Sequence, residues 1–347
     1  MAVAVNLFSD DICVCIQERK NSPLIVYPRS TINFIQWSQE HQQEVAEAIK
    51  QYGVIVFSGF GLTKENFHDA LTAATGMPPQ IYKGDTPRNE VGSNIYQSTA
   101  VAGGQTIPLH QEVSAGDRRD MPQYISFFCV TPPEKGTGQT LVGNAKNVSL
   151  AIQAAMPDLW KCMSTHTLTY TARYLPKDSL RTRWIQWLNP SHATIEKRFG
   201  TEKKEEVEKK CRQEGLTCRW DGGWAVVSRS NVPATINREG VTLFCNQIHV
   251  DRFNPKLCGG WLNYIFARLF LYPTSGSMQF DVEFDDGTQI SRNDASKLLS
   301  ILEEHQVGRD WKKGDLMILD NVATMHAKTS HTGNREILVA MNGTIIE

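Results

Sequence analysis

The sequence predicts a mainly β protein with flanking helices, an α+β chain built on a β-sandwich or jelly roll. Three observations carry that expectation. Short apolar runs of strand length recur along the chain, among them Val54–Phe57, Tyr124–Val130, Leu316–Leu319 and Ile337–Met341. Turn signals such as Asp285-Asp286-Gly287 and Lys313-Gly314-Asp315 separate some of them. No regular strand–helix alternation appears, which argues against a doubly wound parallel sheet. In a jelly roll an early strand and a late strand can be neighbours, so residues far apart in sequence can share one site.

Taken in order, residues 24–37 alternate weakly, and Ser38–Tyr52 reads as a helix with Val45, Ala46 and Ile49 on one face, stopped by Gly53. Val54–Phe57 follows as a buried strand. Thr63 is placed to cap a helix running through Phe67 and Leu71, which Gly76 and Pro78-Pro79 end. Residues 84–108 are rich in Gly, Ser, Thr, Asn and Pro around a short strand at Ile95-Tyr96. This loop leads into the segment bearing His110, so Gln97 and Ser98 are expected as pocket walls. Next come a strand at Tyr124–Val130, a loop through Pro132-Pro133 and Gly136-Thr137-Gly138, a strand at Thr140-Leu141-Val142 and a helix over Asn147–Met156. Between about 165 and 235 the texture changes, with a charged helix at Lys203–Gln213 and a turn at Asp221-Gly222-Gly223. That stretch is expected to be a helical insertion or lid within one domain spanning 1–347. Strand signals return at Val241–Ile248 and Phe280–Phe284, with one helix near Asp294–His305. There is no internal repeat and no low-complexity tract.

Composition narrows the function classes. With 41% apolar residues among 347, the chain can bury a sizeable core. A formal charge of −1, acids and bases interspersed, gives no reason to expect nucleic acid or a membrane as partner and leaves a small molecule. The eight cysteines are scattered without a C-x-x-C pair, which argues against a Cys-rich zinc site and for a reducing compartment. Asp10 and Asp11 interrupt any signal-peptide core after the first residues, and no stretch is long enough to span a bilayer, so a cytoplasmic protein is expected.

The chemistry centres on Leu109-His110-Gln111-Glu112. In an extended strand residues i and i+2 project from one face, so His110 and Glu112 would reach the same point. One imidazole and one carboxylate are two-thirds of the facial triad that holds ferrous iron in oxygen-activating enzymes. His326, directly after the apolar run Leu316–Leu319, is the candidate third ligand. Spacing alone is weak, since nine His and 37 acids give roughly one H-x-[D/E] by chance. A second such pair, His249-Val250-Asp251, stands open beside it.

Several stretches together resemble the TauD/TfdA family of Fe(II)- and 2-oxoglutarate-dependent dioxygenases, in the clavaminate-synthase-like group. They are Gly53-Val54-Ile55-Val56-Phe57-Ser58-Gly59-Phe60, Ile107-Pro108-Leu109-His110-Gln111-Glu112, Phe127-Phe128-Cys129-Val130-Thr131-Pro132-Pro133 and Gly136-Thr137-Gly138-Gln139-Thr140. A C-terminal block runs from Trp311-Lys312-Lys313-Gly314-Asp315-Leu316 through Asp320-Asn321, His326, Gly333 and Arg335. The pieces stand in family order.

The resemblance implies a double-stranded β-helix in which His110, Glu112 and His326 ligate Fe(II), with O2 and 2-oxoglutarate as cosubstrates. Arg335 would pair with the distal carboxylate of 2-oxoglutarate, a task suited to a planar, permanently charged donor, and the Thr140 hydroxyl would assist. It places His249-Val250-Asp251 near the site rather than at the metal and gives Asn246 and Gln247 to the substrate. Ala327-Lys328 and Asn144 depart from frequent family residues, which unsettles any carried-over substrate contacts. Glu112 favours hydroxylation over halogenation. The implied reaction hydroxylates an unactivated C–H bond of an amino-acid-like molecule, free or carrier-bound, and releases succinate and carbon dioxide. Two rivals are a zinc hydrolase using the same three ligands and a non-catalytic small-molecule-binding jelly roll.

Overall fold

The structure is a computed structural model and describes residues 2–4, 8, 11–17, 22–83, 88–98, 106–188, 192–273 and 277–345. Two compact units emerge, one of residues 1–151, 236–245 and 302–347, the other of residues 152–235 and 246–301.

The first unit holds two large sheets and a two-stranded pairing of Thr235–Arg238 with Val241–Phe244. The larger has nine strands in the spatial order Ala2–Ala4, Ile12–Gln17, Leu24–Pro28, Val54–Phe57, Leu316–Asp320, Pro122–Thr131, Glu336–Thr344, Ile95–Gln97 and Glu90–Gly92. Only the pairing of Leu24–Pro28 with Val54–Phe57 is parallel. The smaller sheet orders Val307–Gly308, Thr140–Asn144, Thr324–Lys328 and Ile107–His110, all antiparallel.

Period-two alternation explains why the central strands read as unbroken apolar runs. Phe57, Phe128, Ile318 and Leu338 point to one side, where they pack with Phe34, Trp37, Ile49 and Phe67 of three helices, Phe34–Glu40, Gln42–Tyr52 and Phe67–Thr75. Their neighbours Val56, Phe127, Leu319 and Val339 point the other way and share a second core with Val142 of the smaller sheet. Both faces are covered, so most positions are apolar, with Ser126 and Asn342 as buried polar exceptions. Full burial of such a side chain stabilises by about 1.5–3 kcal/mol. The two facing sheets form the expected jelly roll.

Local readings need adjustment. The helix expected over 38–52 is two helices that meet at His41, whose ring stacks on Trp37 with centroids 5.0 Å apart. Asn33 caps the first by accepting from the amides of Ile35 and Gln36. Gly53 ends the second at φ 75°, and a Cβ there would lie 2.3 Å from Thr324 Oγ1. Thr63 does not cap its helix; its amide donates to Asn66 Oδ1, and the helix begins at Phe67.

The second unit is built on a sheet ordered Thr217–Asp221, Trp224–Pro233, Thr167–Tyr174 and Phe280–Phe284. Residues 165–235 thus carry three strands as well as the helices Leu180–Leu188, Ile195–Phe199 and Lys204–Gln213. The strand expected at Val241–Ile248 stops at Phe244, and a short helix, Ile248–Asp251, follows. Among the described residues no helix is long and apolar enough to cross a membrane.

Candidate active site

The smaller sheet sets two histidines opposite each other. His110 closes the strand Ile107–His110 and is the register partner of His326 in Thr324–Lys328. Their ring centroids are 4.3 Å apart. Glu112 arrives differently from the sequence expectation, because the strand ends at His110 and residues 112–115 turn, with Val113 at φ 63°. Asn321 accounts for that turn. Its Oδ1 accepts from the Glu112 amide at 2.9 Å, and its Nδ2 donates to the carbonyls of Glu112 and Pro122 at 3.0 and 3.1 Å. The carboxylate nevertheless reaches the histidines, with Glu112 Oε2 3.6 Å from His326 Nε2.

One ligand atom from each of His110, Glu112 and His326 lies within 4.8 Å of the others. Among the described residues the only other such group is His166, Asp285 and Asp286, whose acids are exposed. The rival pair His249 and Asp251 falls on the helix Ile248–Asp251, where i and i+2 do not share a face.

Electrostatics prepares the three residues for a cation. The His110 Nδ1–H donates to the Pro108 carbonyl at 2.9 Å, which leaves Nε2 as the lone-pair nitrogen. Burial, then the charge of His326, pushes the His110 imidazole down to about 3, so it is neutral at neutral pH. Burial alone would raise the Glu112 carboxyl. Arg88, 2.8 Å away, together with the His326 hydrogen bond, outweighs burial and holds the group below the usual carboxylate range. Phe127 lies against His326 at 5.3 Å between centroids, and His326 Nδ1 is buried with no hydrogen-bond partner among the described residues. Two imidazoles and one ionised carboxylate could hold a divalent metal ion, and the donor set fits ferrous iron.

Arg88 was not singled out by sequence. Besides Glu112 it donates to the Ser98 carbonyl at 3.1 Å and lies over the Tyr82 ring at 4.7 Å. No spacing rule marks one arginine in a loop, and residues 84–87 and 99–105 of that expected pocket wall lie outside the described residues. Ser98 is buried and joins two cations, since its hydroxyl accepts from Arg335 Nη1 at 3.0 Å. Arg335 Nε donates to the Gly138 carbonyl at 3.1 Å. Burial pushes the guanidinium down to about 10, opposed by Cys129, and among the described residues no carboxylate pairs with it. It is a half-buried cation.

Thr140 is buried opposite Lys328, two positions along the sheet from Val142, which opposes His326. Thr140 therefore projects from the same face as His326. Asn144 caps the following helix by accepting from the Asn147 amide. Gln97 is not brought to this cluster, being exposed with its side chain on Asn89. Asn246 and Gln247 belong to the second unit. The Asn246 side chain donates to the Ala234 carbonyl and accepts from the Ile248 amide, and the Gln247 amide donates to Tyr170 Oη. The Asn246 bond to Ile248 is local, whereas those to Ala234 and Tyr170 tie the segment to other parts of the second unit.

A family model described as taurine catabolism dioxygenase TauD, TfdA family matches residues 22–341. A clavaminate synthase-like protein of Arabidopsis thaliana is 23% identical over 312 residues, 89% of this chain and 87% of the relative. The dapdiamide synthesis protein DdaC of Enterobacter agglomerans is 20% identical over 313 residues, covering 86% and 84%. Among solved structures, AAD-2 in complex with Mn(II) and N-oxalylglycine superposes with TM-score 0.50 at 14% identity, covering 96% of this chain and 98% of that one. PvcB from Pseudomonas aeruginosa gives TM-score 0.50 at 13% identity, covering 97% and 93%. The two structures bear on the fold alone.

Proposed function

Since the chain belongs to the TauD, TfdA dioxygenase family, we propose that His110, Glu112 and His326 are the ligands of its iron and Arg335 the anchor of its 2-oxoglutarate. As a family member it is an Fe(II)- and 2-oxoglutarate-dependent oxygenase acting on a small molecule. With O2, the bound metal supplies the oxidising power that turns 2-oxoglutarate into succinate and carbon dioxide while a substrate C–H bond is hydroxylated.

The chain's own residues prepare that chemistry. His110 offers a neutral nitrogen donor and His326 a second imidazole, and Glu112 adds a negative charge whose second claimant is Arg88. Asn321 fixes the Glu112 turn from both sides of the peptide. Arg335, aligned by Gly138 and Ser98, presents its remaining donors to the far carboxylate of the cosubstrate. Thr140, on the His326 face, supplies a hydroxyl to the same carboxylate. Phe127 keeps water from His326.

The observation that supports this reading most is the cluster itself: three ligand atoms within 4.8 Å, drawn from residues 110, 112 and 326. The amino-acid-like substrate rests on the resemblance and on relatives named for clavaminate and dapdiamide synthesis. Gln97, Asn246 and Gln247 are retained as substrate contacts only as part of this proposal. The test is to screen amino acids, free and carrier-bound, for stimulated succinate release and a hydroxylated product. Succinate release that no amino acid stimulates would remove the substrate assignment while leaving the metal site standing.

A further inference from the structure

The strand Ile12–Gln17 carries Cys13-Val14-Cys15, and strand alternation divides its side chains between two faces. Ile12 and Val14 are buried in the core that packs on the helices of the first unit. Cys13 and Cys15 therefore point together to the opposite face, where both are half-buried free thiols. Their sulfurs stand 3.9 Å apart. The strand is paired along both edges, with Ala2–Ala4 and with Leu24–Pro28, so the backbone fixes the spacing of the two thiols.

A disulfide is the first use to weigh for such a pair. It needs β-carbons about 3.5–4.5 Å apart, whereas in-phase positions on a strand are separated by about 6.6 Å, two residues at about 3.3 Å each. Closing the bond would bend a strand held on both sides. A thiophilic cation between the sulfurs requires no bending. Two metal–sulfur bonds of about 2.3 Å span the observed 3.9 Å at an angle of about 115°, close to trigonal.

The surroundings select among the thiophilic ions. A structural zinc ion takes four donors, and among the described residues no further His, Cys, Asp or Glu joins this pair in a metal-sized cluster. Copper(I) is soft and is selected by thiolates. Two thiolates around one Cu(I) carry a net negative charge, which a cation nearby offsets. Tyr27 is the register partner of Cys13 and shares its face, and Lys312 Nζ lies 5.7 Å from the centroid of the Tyr27 ring. Lys312 thus brings positive charge to the thiol face.

We propose that Cys13 and Cys15 form a two-thiolate site for copper(I), separate from the cluster of His110, Glu112 and His326. Each thiol releases its proton on binding, copper stays in the +1 state, and the third trigonal position is left to an external thiol. The two sites share no residue.

Titration of the full chain with Cu(I), buffered by the chromophoric chelator bicinchoninate without oxygen, tests this assignment. The parent should withdraw a single Cu(I) per chain and gain thiolate-to-copper absorption in the ultraviolet. Cys13→Ser and Cys15→Ser should each weaken binding by at least about 100-fold, because losing a ligand costs more than losing the partner that orients one. Both should keep the circular dichroism of the parent, and Cys162→Ser and His326→Ala should bind copper as the parent does. X-ray absorption of the loaded chain should show sulfur neighbours alone. No copper withdrawn from the chelator would overturn the proposal, as would undiminished binding by either serine variant at residues 13 and 15. Loss of binding in His326→Ala would give the copper to the other cluster and also overturn it. So would a Cys13–Cys15 disulfide formed by mild oxidation of the folded chain, which would make the pair a redox couple.

Discussion

Glu112 is a buried carboxylate whose charge is balanced by one guanidinium, and that pairing makes the metal-free site sensitive to Arg88. Replacing Arg88 by Met leaves an unpaired buried charge, which costs about 3–5 kcal/mol. Urea unfolding of the metal-free variant should show that loss, and a divalent metal should restore much of it by taking over the charge. Unchanged stability would remove Arg88 from this role. With Arg335 in its proposed role, Arg335→Gln should raise half-saturation by 2-oxoglutarate about 10- to 100-fold while iron affinity holds. Proton linkage has a definite sign here. The folded His110 value lies near 3 against an ordinary 6.5, so the unfolded chain takes up the proton first as pH falls. Glu112 acts in the same direction, its contribution being lost as pH falls through its lowered value. Metal-free protein should therefore lose stability from about pH 6.5 downward, read from urea midpoints across that range. A flat profile there would contradict a neutral, buried His110.

At the scale of elements, the turn after Ile107–His110 is held by a residue 209 positions away. Asn321→Ala would strand buried groups of Glu112 and Pro122 and should cost about 2–4 kcal/mol, with weaker metal binding because Glu112 loses its fixed approach. Metal affinity equal to the parent's would show that the turn holds without its clamp. This contact also marks where sequence reading stops. The central strands were legible because both faces are buried, which writes Val54–Phe57 and Leu316–Leu319 as unbroken apolar runs. The His-x-Glu spacing was legible too, though its strand geometry was not, since nothing local to Glu112 encodes Asn321. Trp261–Phe270 escaped notice as a helix because apolar residues on nearly every side blur its period. Thr167–Tyr174 escaped as a strand because it is only half-buried and alternates irregularly across a register shift.

For the whole molecule, the jelly roll gathers residues 88, 98, 112 and 335 onto linked hydrogen bonds, running from Glu112 through Arg88 and Ser98 to Arg335. Such convergence from across the chain is what antiparallel neighbours of distant sequence make available. A chain of this length could not reveal it by spacing, and the ordered family pieces carried that part of the reading. The most direct measurement of the central claim is anaerobic addition of Fe(II) and 2-oxoglutarate, followed by its weak visible charge-transfer band. The parent chain should develop the band, His326→Ala should not, and Arg335→Gln should develop it only at raised 2-oxoglutarate. A band of equal strength at equal ligand concentrations in His326→Ala would contradict the assigned site.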